Sequence, residues 1–454
     1  MVATRKPYCV LSPTAILGYG FPPESFRRGM ESQPDLIAVD AGSTDPGPFY
    51  LGAGKSFTSR GAVKRDLEFL LRGALDREIP CIIGSAGGAG AREHVQWTWS
   101  ILREIAHEQG FSFRLGIVYA DVMPETVLQA MKEGRVTPLE PAPEVSADEV
   151  RRSVRIVAQM GAEPVMEALR LGCRVVLCGR CYDPIPFAAP PIAQGYDAGL
   201  AVHMGKILEC GAIAATPGSG KDCVLGILEE DSFVLEALNS QRRFTRMSAA
   251  AHTLYEKSDP YSLPGPGGTL DLRRTRFEEL DGGKVRVSGS RFVPSPVYTV
   301  KLEGAKPIGF RTICVAGIRD PILIGRLDRV LGEIRDQVAR ELGPSGVLLF
   351  RVYGRNGVMG ELEPLRDRLP HEVGLVIEAV APDQESANGL CAYARSSLLH
   401  EGYPGRISTA GNLAFPYSPS DTPCGPVFEF SLYHLMTLRN PLELFPVEIE
   451  EIRG

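Results

Sequence analysis

The sequence predicts an α/β protein: a doubly wound, mostly parallel sheet in an N-terminal lobe, a β-rich connecting segment, and a second, smaller α/β lobe. Three observations carry this. Short apolar runs alternate with helical stretches over the first half of the chain, and the runs are apolar on both faces, as parallel strands covered by helices on each side must be. After residue 225 the texture changes to period-two alternation punctuated by Gly and Pro, the pattern of antiparallel strands. From 311 the strand and helix rhythm resumes. A chain of 454 residues exceeds one hydrophobic core, and we expect domains over 1–225, 226–310 and 311–454.

Taken in order, residues 14–20 read as a short apolar strand and 22–30 as a helix opened by proline. A strand over 35–40 and a helix over 61–77 follow, then a strand over 80–83, a helix over 91–109 and a strand over 113–119. Residues 147–172 read as a helix interrupted near Gly161 to Pro164, leading into a strand over 174–178. The next helix is expected over 196–216. Residues 284–288 and 298–302 alternate as antiparallel strands, with loop over 261–268. The last lobe reads as a strand from Arg311, a helix over 323–341, strands over 346–353 and 372–380, and a helix over 384–400.

Composition excludes several function classes. A formal net charge of −6 with no long basic cluster argues against a nucleic-acid or anionic-membrane surface and leaves a small-molecule partner. No run approaches the ~18 apolar residues of a membrane span, and the N-terminus lacks a signal-type apolar core; a cytoplasmic location is expected. Of ten cysteines, Cys81, Cys173, Cys178 and Cys314 fall in strand-like segments and read as small buried hydrophobes. Cys173, Cys178 and Cys181 lack the paired spacing of a zinc site.

The chemistry concentrates where strands end. In a doubly wound sheet, ligands sit at the carboxyl ends of the strands. There the chain places Asp40, Ser43 and Asp45 after one strand, Gly84-Ser-Ala-Gly-Gly-Ala-Gly90 after the next, Asp121 after a third, and Gly179, Arg180, Cys181, Tyr182 and Asp183 after a fourth. If the strands are neighbours, all four loops face one crevice. Ser85, Gly87 and Gly88 open a helix whose unpaired N–H groups favour a carboxylate or thioester oxygen. The turn is not the dinucleotide pattern in register, and residues 216–222 lack the glycine and hydroxyl of a P-loop; no nucleotide is expected. Arg180 and Tyr182 suit a substrate carboxylate. Asp183, Asp121 and His94 are acid or base candidates, and Asp40 with Asp45 could hold a hard ion such as Mg²⁺. Each aspartate stands beside Gly or Pro often enough to be a turn or cap residue instead. His203, Lys206 and Glu209 recur at three-residue spacing on or near one helix face, a second acid–base set or a domain contact. The tail from Thr409 to Phe430 is short of charge and offers Asn412, Ser418, Ser420 and Asp421 as ligand donors.

Gly179-Arg180 with Asp183, Leu208-Glu-Cys-Gly211, Leu254-Tyr-Glu-Lys-Ser-Asp-Pro-Tyr261 and Lys284-Val-Arg-Val-Ser-Gly-Ser290 together resemble the acyclic terpene utilisation family, over roughly residues 14–440. The resemblance implies catabolism of acyclic terpenes and other branched carboxylic acids, often as coenzyme A thioesters. It supplies no catalytic residues. The loop 40–51 and the tail after Thr409 look like those of a distinct subgroup, so the substrate need not be a terpene.

The leading expectation is an enzyme acting on a small branched or unsaturated carboxylic acid or its thioester by hydration, dehydration or double-bond isomerisation. The runner-up is an acyl-thioester hydrolase with Ser43 or Ser85 as nucleophile, although neither lies in a G-x-S-x-G elbow. From another class comes a binding subunit that needs a small partner protein. A homo-oligomer is the default for such an enzyme.

Overall fold

The computed structural model describes residues 5–255, 259–342, 346–407 and 410–454. Two compact units emerge, Met1–Lys306 with Phe430–Gly454, and Pro307–Glu429. In the first unit the chain forms β1 (Tyr8–Ser12), β2 (Leu36–Asp40), β3 (Cys81–Gly84), β4 (Phe113–Val118), β5 (Val136–Pro138), β6 (Arg155–Ala158) and β7 (Val175–Cys178). Between them lie α1 (Pro23–Glu31), α2 (Pro48–Ala53), α3 (Arg60–Asp76), α4 (Arg92–Gln109), α5 (Pro124–Lys132), α6 (Ala147–Arg152) and α7 (Ala162–Arg170), followed by α8 (Ile185–Ala193) and α9 (Ala198–Leu208). Then come β8 (Val224–Leu228), β9 (Ser232–Ala237), α10 (Arg246–Leu254), β10 (Ser262–Gly265), β11 (Gly268–Asp271), β12 (Arg276–Leu280), β13 (Lys284–Ser288), β14 (Arg291–Pro294) and the start of β15 (Thr299–Ile318).

One ten-stranded sheet organises this unit, in the order β12-β13-β9-β8-β1-β2-β3-β7-β4 with the C-terminal strand Val447–Ile452 at its edge. Its centre, β1-β2-β3-β7-β4, is parallel, and the flanking strands pair antiparallel. Each of β1, β2, β3 and β7 is buried along its whole length. The period of two sends Val10, Leu36, Ile82 and Val176 into the core beneath α7, α8 and α9, and Leu11, Ile37, Ile83 and Leu177 into the core beneath α3 and α4. That two-sided burial is why these runs carry no polar alternation. A small sheet, β10-β11-β14, stands apart. Residues Leu302 to Ala305 of β15 pair antiparallel with β6.

The second unit holds the later residues of β15, which pair antiparallel with β17 (Val373–Ala381), itself paired with β16 (Val347–Tyr353). Helices α11 (Pro321–Leu342) and α12 (Gln384–His400) bury Leu323, Leu327, Leu390 and Leu398 in a separate core with Leu375 and Ile377. The strand β18 (Asp421–Thr437) leads back to the first unit, where His434 to Met436 pair with β5, and β19 (Val447–Ile452) closes the sheet edge. Among the described residues no helix is long and apolar enough to cross a membrane.

Four sequence expectations are corrected, the first being the loop over 261–268, which holds β10 and the first residue of β11. Residues 14–20 form turns, not a strand: Gly18 and Gly20 have φ of +102° and +85°, and both amides donate to the Asp66 carboxylate of α3. The helix expected over 147–172 is broken by β6, where Ile156 and Val157 favour extended backbone and the pairing partner lies far along the chain. The helix expected over 196–216 ends at Leu208, since Gly211 adopts φ +55°.

The turn after β3 is packed rather than open. Gly90 has φ +68°, and a Cβ there would lie 2.2 Å from the Arg180 amide nitrogen. Gly134 has the same φ with nothing within 4 Å of its virtual Cβ. Gly134→Ala should therefore cost only backbone strain, about 1 kcal/mol, whereas Gly90→Ala should cost at least about 3 kcal/mol by urea unfolding. Equal losses would mean that close packing is not what Gly90 supplies.

Candidate functional site

The parallel strands end side by side, and their last residues meet. Asp40 closes β2, Ser85 follows β3, and Arg180 to Asp183 follow β7. Arg180 is 2% exposed, so each of its donors needs a partner. Its Nε donates to Glu303 Oε2 at 2.7 Å, and its Nη1 reaches the Cys181 carbonyl at 2.7 Å, Asp183 Oδ1 at 3.1 Å and Ser85 Oγ at 3.2 Å. Among the described residues Nη2 has no hydrogen-bond partner. Glu303 also holds Lys301 at 2.7 Å and accepts from Thr44 Oγ1 at 3.0 Å. From α9, Lys206 pairs with Glu209 at 2.8 Å and stands 3.6 Å from Asp183 Oδ2.

Burial and neighbouring charge drive these groups apart in protonation. Burial, then Asp183 and Glu209, push the Asp40 carboxyl well above the usual aspartate range. Asp40 Oδ1 has no hydrogen-bond partner. Burial also acts to raise Asp183, but Arg180 and Lys206 outweigh it and hold that carboxyl below its ordinary value. Burial raises Glu209, and Lys206 opposes this without reversing it. For Glu303 burial is overcome by Arg180 and Lys301, which bring it down to about 2.

Two cavities open onto the cluster and share Asp45 and Asp183. The larger, about 530 Å³, is lined by Arg180, Lys206, Lys301, Tyr182 and Gln159, with Leu139, Leu263 and Leu435 on its walls. The smaller, about 290 Å³, is lined by Asp40, Glu209 and Ser43 with the aromatic rings of Tyr19, Phe57 and Tyr255. The Tyr182 hydroxyl is buried without a partner.

Asp40, Ser43, Asp45, Arg180, Tyr182 and Asp183 are thus brought together at these cavities, with Ser85 behind them on Arg180. Ser43 Oγ donates to Asp45 Oδ2 at 2.7 Å. The remaining candidates stand elsewhere. His94 is buried under the glycine turn, its Nε2 3.1 Å from the Lys55 carbonyl and its Nδ1 unpartnered, and burial lowers its pKa. Asp121 accepts the Arg92 amide at the start of α4 at 3.0 Å, and burial raises its carboxyl. Gly87 and Gly88 pack against His94 and Phe57, and neither lines these cavities. The turn's amides at Ser85, Ala86, Gly88 and Gly90 donate to backbone carbonyls. Asn412 belongs to the second unit, where its Nδ2 caps α12 at the Leu398 and Glu401 carbonyls; Asp421 there pairs with Arg395. Thr409 and residues 256–258 of the Tyr-Glu-Lys-Ser-Asp-Pro-Tyr segment lie outside the described residues. Among the described residues no three His, Cys, Asp or Glu side chains are grouped to hold a metal ion, Asp40 and Asp45 included.

Lys206 and Glu209 enter the site, while His203 turns away to Ser290 and Thr253. Glu303, Lys301 and Thr44 were not singled out from sequence. The one available signal was Lys301 and Glu303 two apart, on the same face of a strand whose Val300 and Leu302 are apolar.

Fold and site define an α/β protein with a charged crevice at the carboxyl ends of a parallel sheet. A family model, Acyclic terpene utilisation family protein AtuA, matches residues 60–418. The chain belongs to this family. Comparisons with curated proteins and with solved structures found no match. Of the segments that carry the resemblance, Arg180, Asp183, Glu209, Cys210 and Tyr255 line the crevice.

Glu303 offers a direct test of the network. Its folded pKa lies below the unfolded value, so its contribution is complete above the ordinary glutamate pKa of 4.5 and is lost as pH falls toward about 2. Glu303→Gln should lower stability near neutral pH by on the order of 3 kcal/mol, because Arg180 and Lys301 lose their charge partner. The variant should also flatten the acid limb of a pH–stability curve between those two values.

Proposed function

We propose that the protein is an enzyme acting on a small carboxylic acid, or its acyl thioester, by proton transfer that hydrates, dehydrates or isomerises a double bond. The observation that carries this reading is the pair Asp40 and Asp183, two carboxyls on one cavity, the first pushed up by burial and the second held down against burial by Arg180 and Lys206. Such a split assigns acid and base in one site. Asp183, ionised and at the junction of both cavities, takes a proton from the carbon beside the carboxyl. Asp40, neutral and with a free oxygen, returns one to the leaving or developing oxygen or carbon. The carboxylate or thioester oxygen faces Arg180 Nη2, Lys206 and Lys301, and these cations offset the charge that develops on it.

A hydrolase reading finds less support. Neither Ser43 nor Ser85 hydrogen-bonds a histidine among the described residues; Ser43 donates to Asp45, and Ser85 accepts from Arg180.

Incubation with unsaturated and hydroxylated acids, free and as thioesters, in D₂O should give deuterium uptake beside the carboxyl. No uptake by any of them with pure protein would sink the reading, and activity restored only by a partner protein would favour a subunit role. Asp183→Asn should slow exchange at least about tenfold, or about 1.4 kcal/mol, with little change in thermal midpoint. The rate should fall at low pH as Asp183 protonates below the usual aspartate range. It should fall again at high pH as Asp40 ionises above that range, and Asp40→Asn should abolish that second limb.

A further inference from the structure

The two cavities differ in charge in a way that a plain carboxylic acid does not use. Among the described residues, every ionisable side chain lining the smaller one, tyrosines apart, is a carboxyl or the Cys210 thiol. All three cations, Arg180, Lys206 and Lys301, line the larger. Among the described residues, and leaving the neutral Asp40 aside, the four carboxyls of Asp45, Asp183, Glu209 and Glu303 face those three cations. The structure therefore leaves negative charge in excess on one side of Asp183.

We propose that the smaller cavity recognises an organic ammonium group, so that the site takes an amino-substituted carboxylic acid whose carboxylate lies toward Arg180 and Lys301. This rests on the carboxylic-acid reading above and adds the substrate's second charge. Asp40 lines the cavity and is 4% exposed, and its buried Oδ1 has no hydrogen-bond partner. A neutral carboxyl still accepts through that oxygen, so an ammonium N–H can satisfy it while Asp45, Asp183 and Glu209 supply charge. The aromatic faces of Tyr19, Phe57 and Tyr255 complete the wall, and aromatic rings beside carboxylates suit an organic cation. A hard metal ion is the poorer occupant, since no three of these side chains are grouped as ligands among the described residues. The raised pKa values of Asp40 and Glu209 agree, because a bound cation offsets the same crowding that protonation now relieves.

The test is calorimetric titration of the full chain with pentanoate and with 2-, 3-, 4- and 5-aminopentanoate, which walk the amine along one carbon chain. At least one amino acid should bind about tenfold or more tighter than pentanoate, or about 1.4 kcal/mol. Asp45→Asn, at an exposed position, should remove most of that preference; Tyr255→Ala should act in the same direction. Equal binding of pentanoate and every amino acid would overturn the ammonium pocket and leave the carboxylate reading standing. No binding by any member, pentanoate included, would overturn both. Retention of the full preference in Asp45→Asn and Asp40→Asn, or competitive displacement of the amine by Mg²⁺ alone, would also overturn the inference.

Discussion

The site depends on one buried contact, Arg180 with Glu303. A guanidinium that is 2% exposed has lost its hydration, and the attraction of a single carboxylate seldom does more than offset that loss. The molecule meets the cost by committing Nε to Glu303 and Nη1 to three further acceptors. The outcome is orientation more than stability. With two nitrogens fixed, the guanidinium plane is fixed, and Asp183 is held ionised beside it. Glu303 in turn is kept charged by two cations, Arg180 and Lys301, so the sequence of charges from Lys301 to Asp183 is rigid and alternating.

That alternation stops at Asp183. Beyond it stand Glu209, whose partner Lys206 is shared with Asp183, and Asp40, which has no cation of its own in hydrogen-bonding contact. The resulting gradient, cationic at one cavity and acidic at the other, explains why the carboxyls of Asp40 and Asp183 are shifted in opposite directions. It follows from where the strands stop: the arginine after β7 is committed to Glu303 and Asp183, while β2 delivers an aspartate whose Oδ1 has no hydrogen-bond partner.

The parallel core was legible because its physical signature is local. Runs such as Leu36 to Val39, Cys81 to Ile83 and Val175 to Cys178 are apolar at every position, and only a strand buried on both faces tolerates that. Asp40, Arg180 and Asp183 were legible for a related reason, since they interrupt such runs at their ends. Glu303 and Lys301 were not, because their importance arises from a pairing between β15 and β6, some 145 residues apart. Residues 155–158 were lost to an expected helix for the same cause. His94 and Asp121 stand apart from the two cavities. Both have the right chemistry near the right loop, but the side-chain direction that sends one to Lys55 and the other to the Arg92 amide is set by tertiary packing.

The glycine turn shows how a functional signal and a structural one overlap. Its richness in glycine suggested amides open to an anion, yet those amides at Ser85, Ala86, Gly88 and Gly90 are taken by carbonyls of its own turn and of the β7 end. What the glycines permit is approach. The Gly90 carbonyl accepts the Arg180 amide at 3.1 Å, and the Gly179 carbonyl accepts the Ser85 amide at 3.1 Å. A side chain at Gly90 would occupy the space of the Arg180 backbone, pushing the arginine from the position where Glu303 and Asp183 both reach it. The turn thus holds the backbone from which Arg180 extends, and the charge gradient across Asp183 begins there.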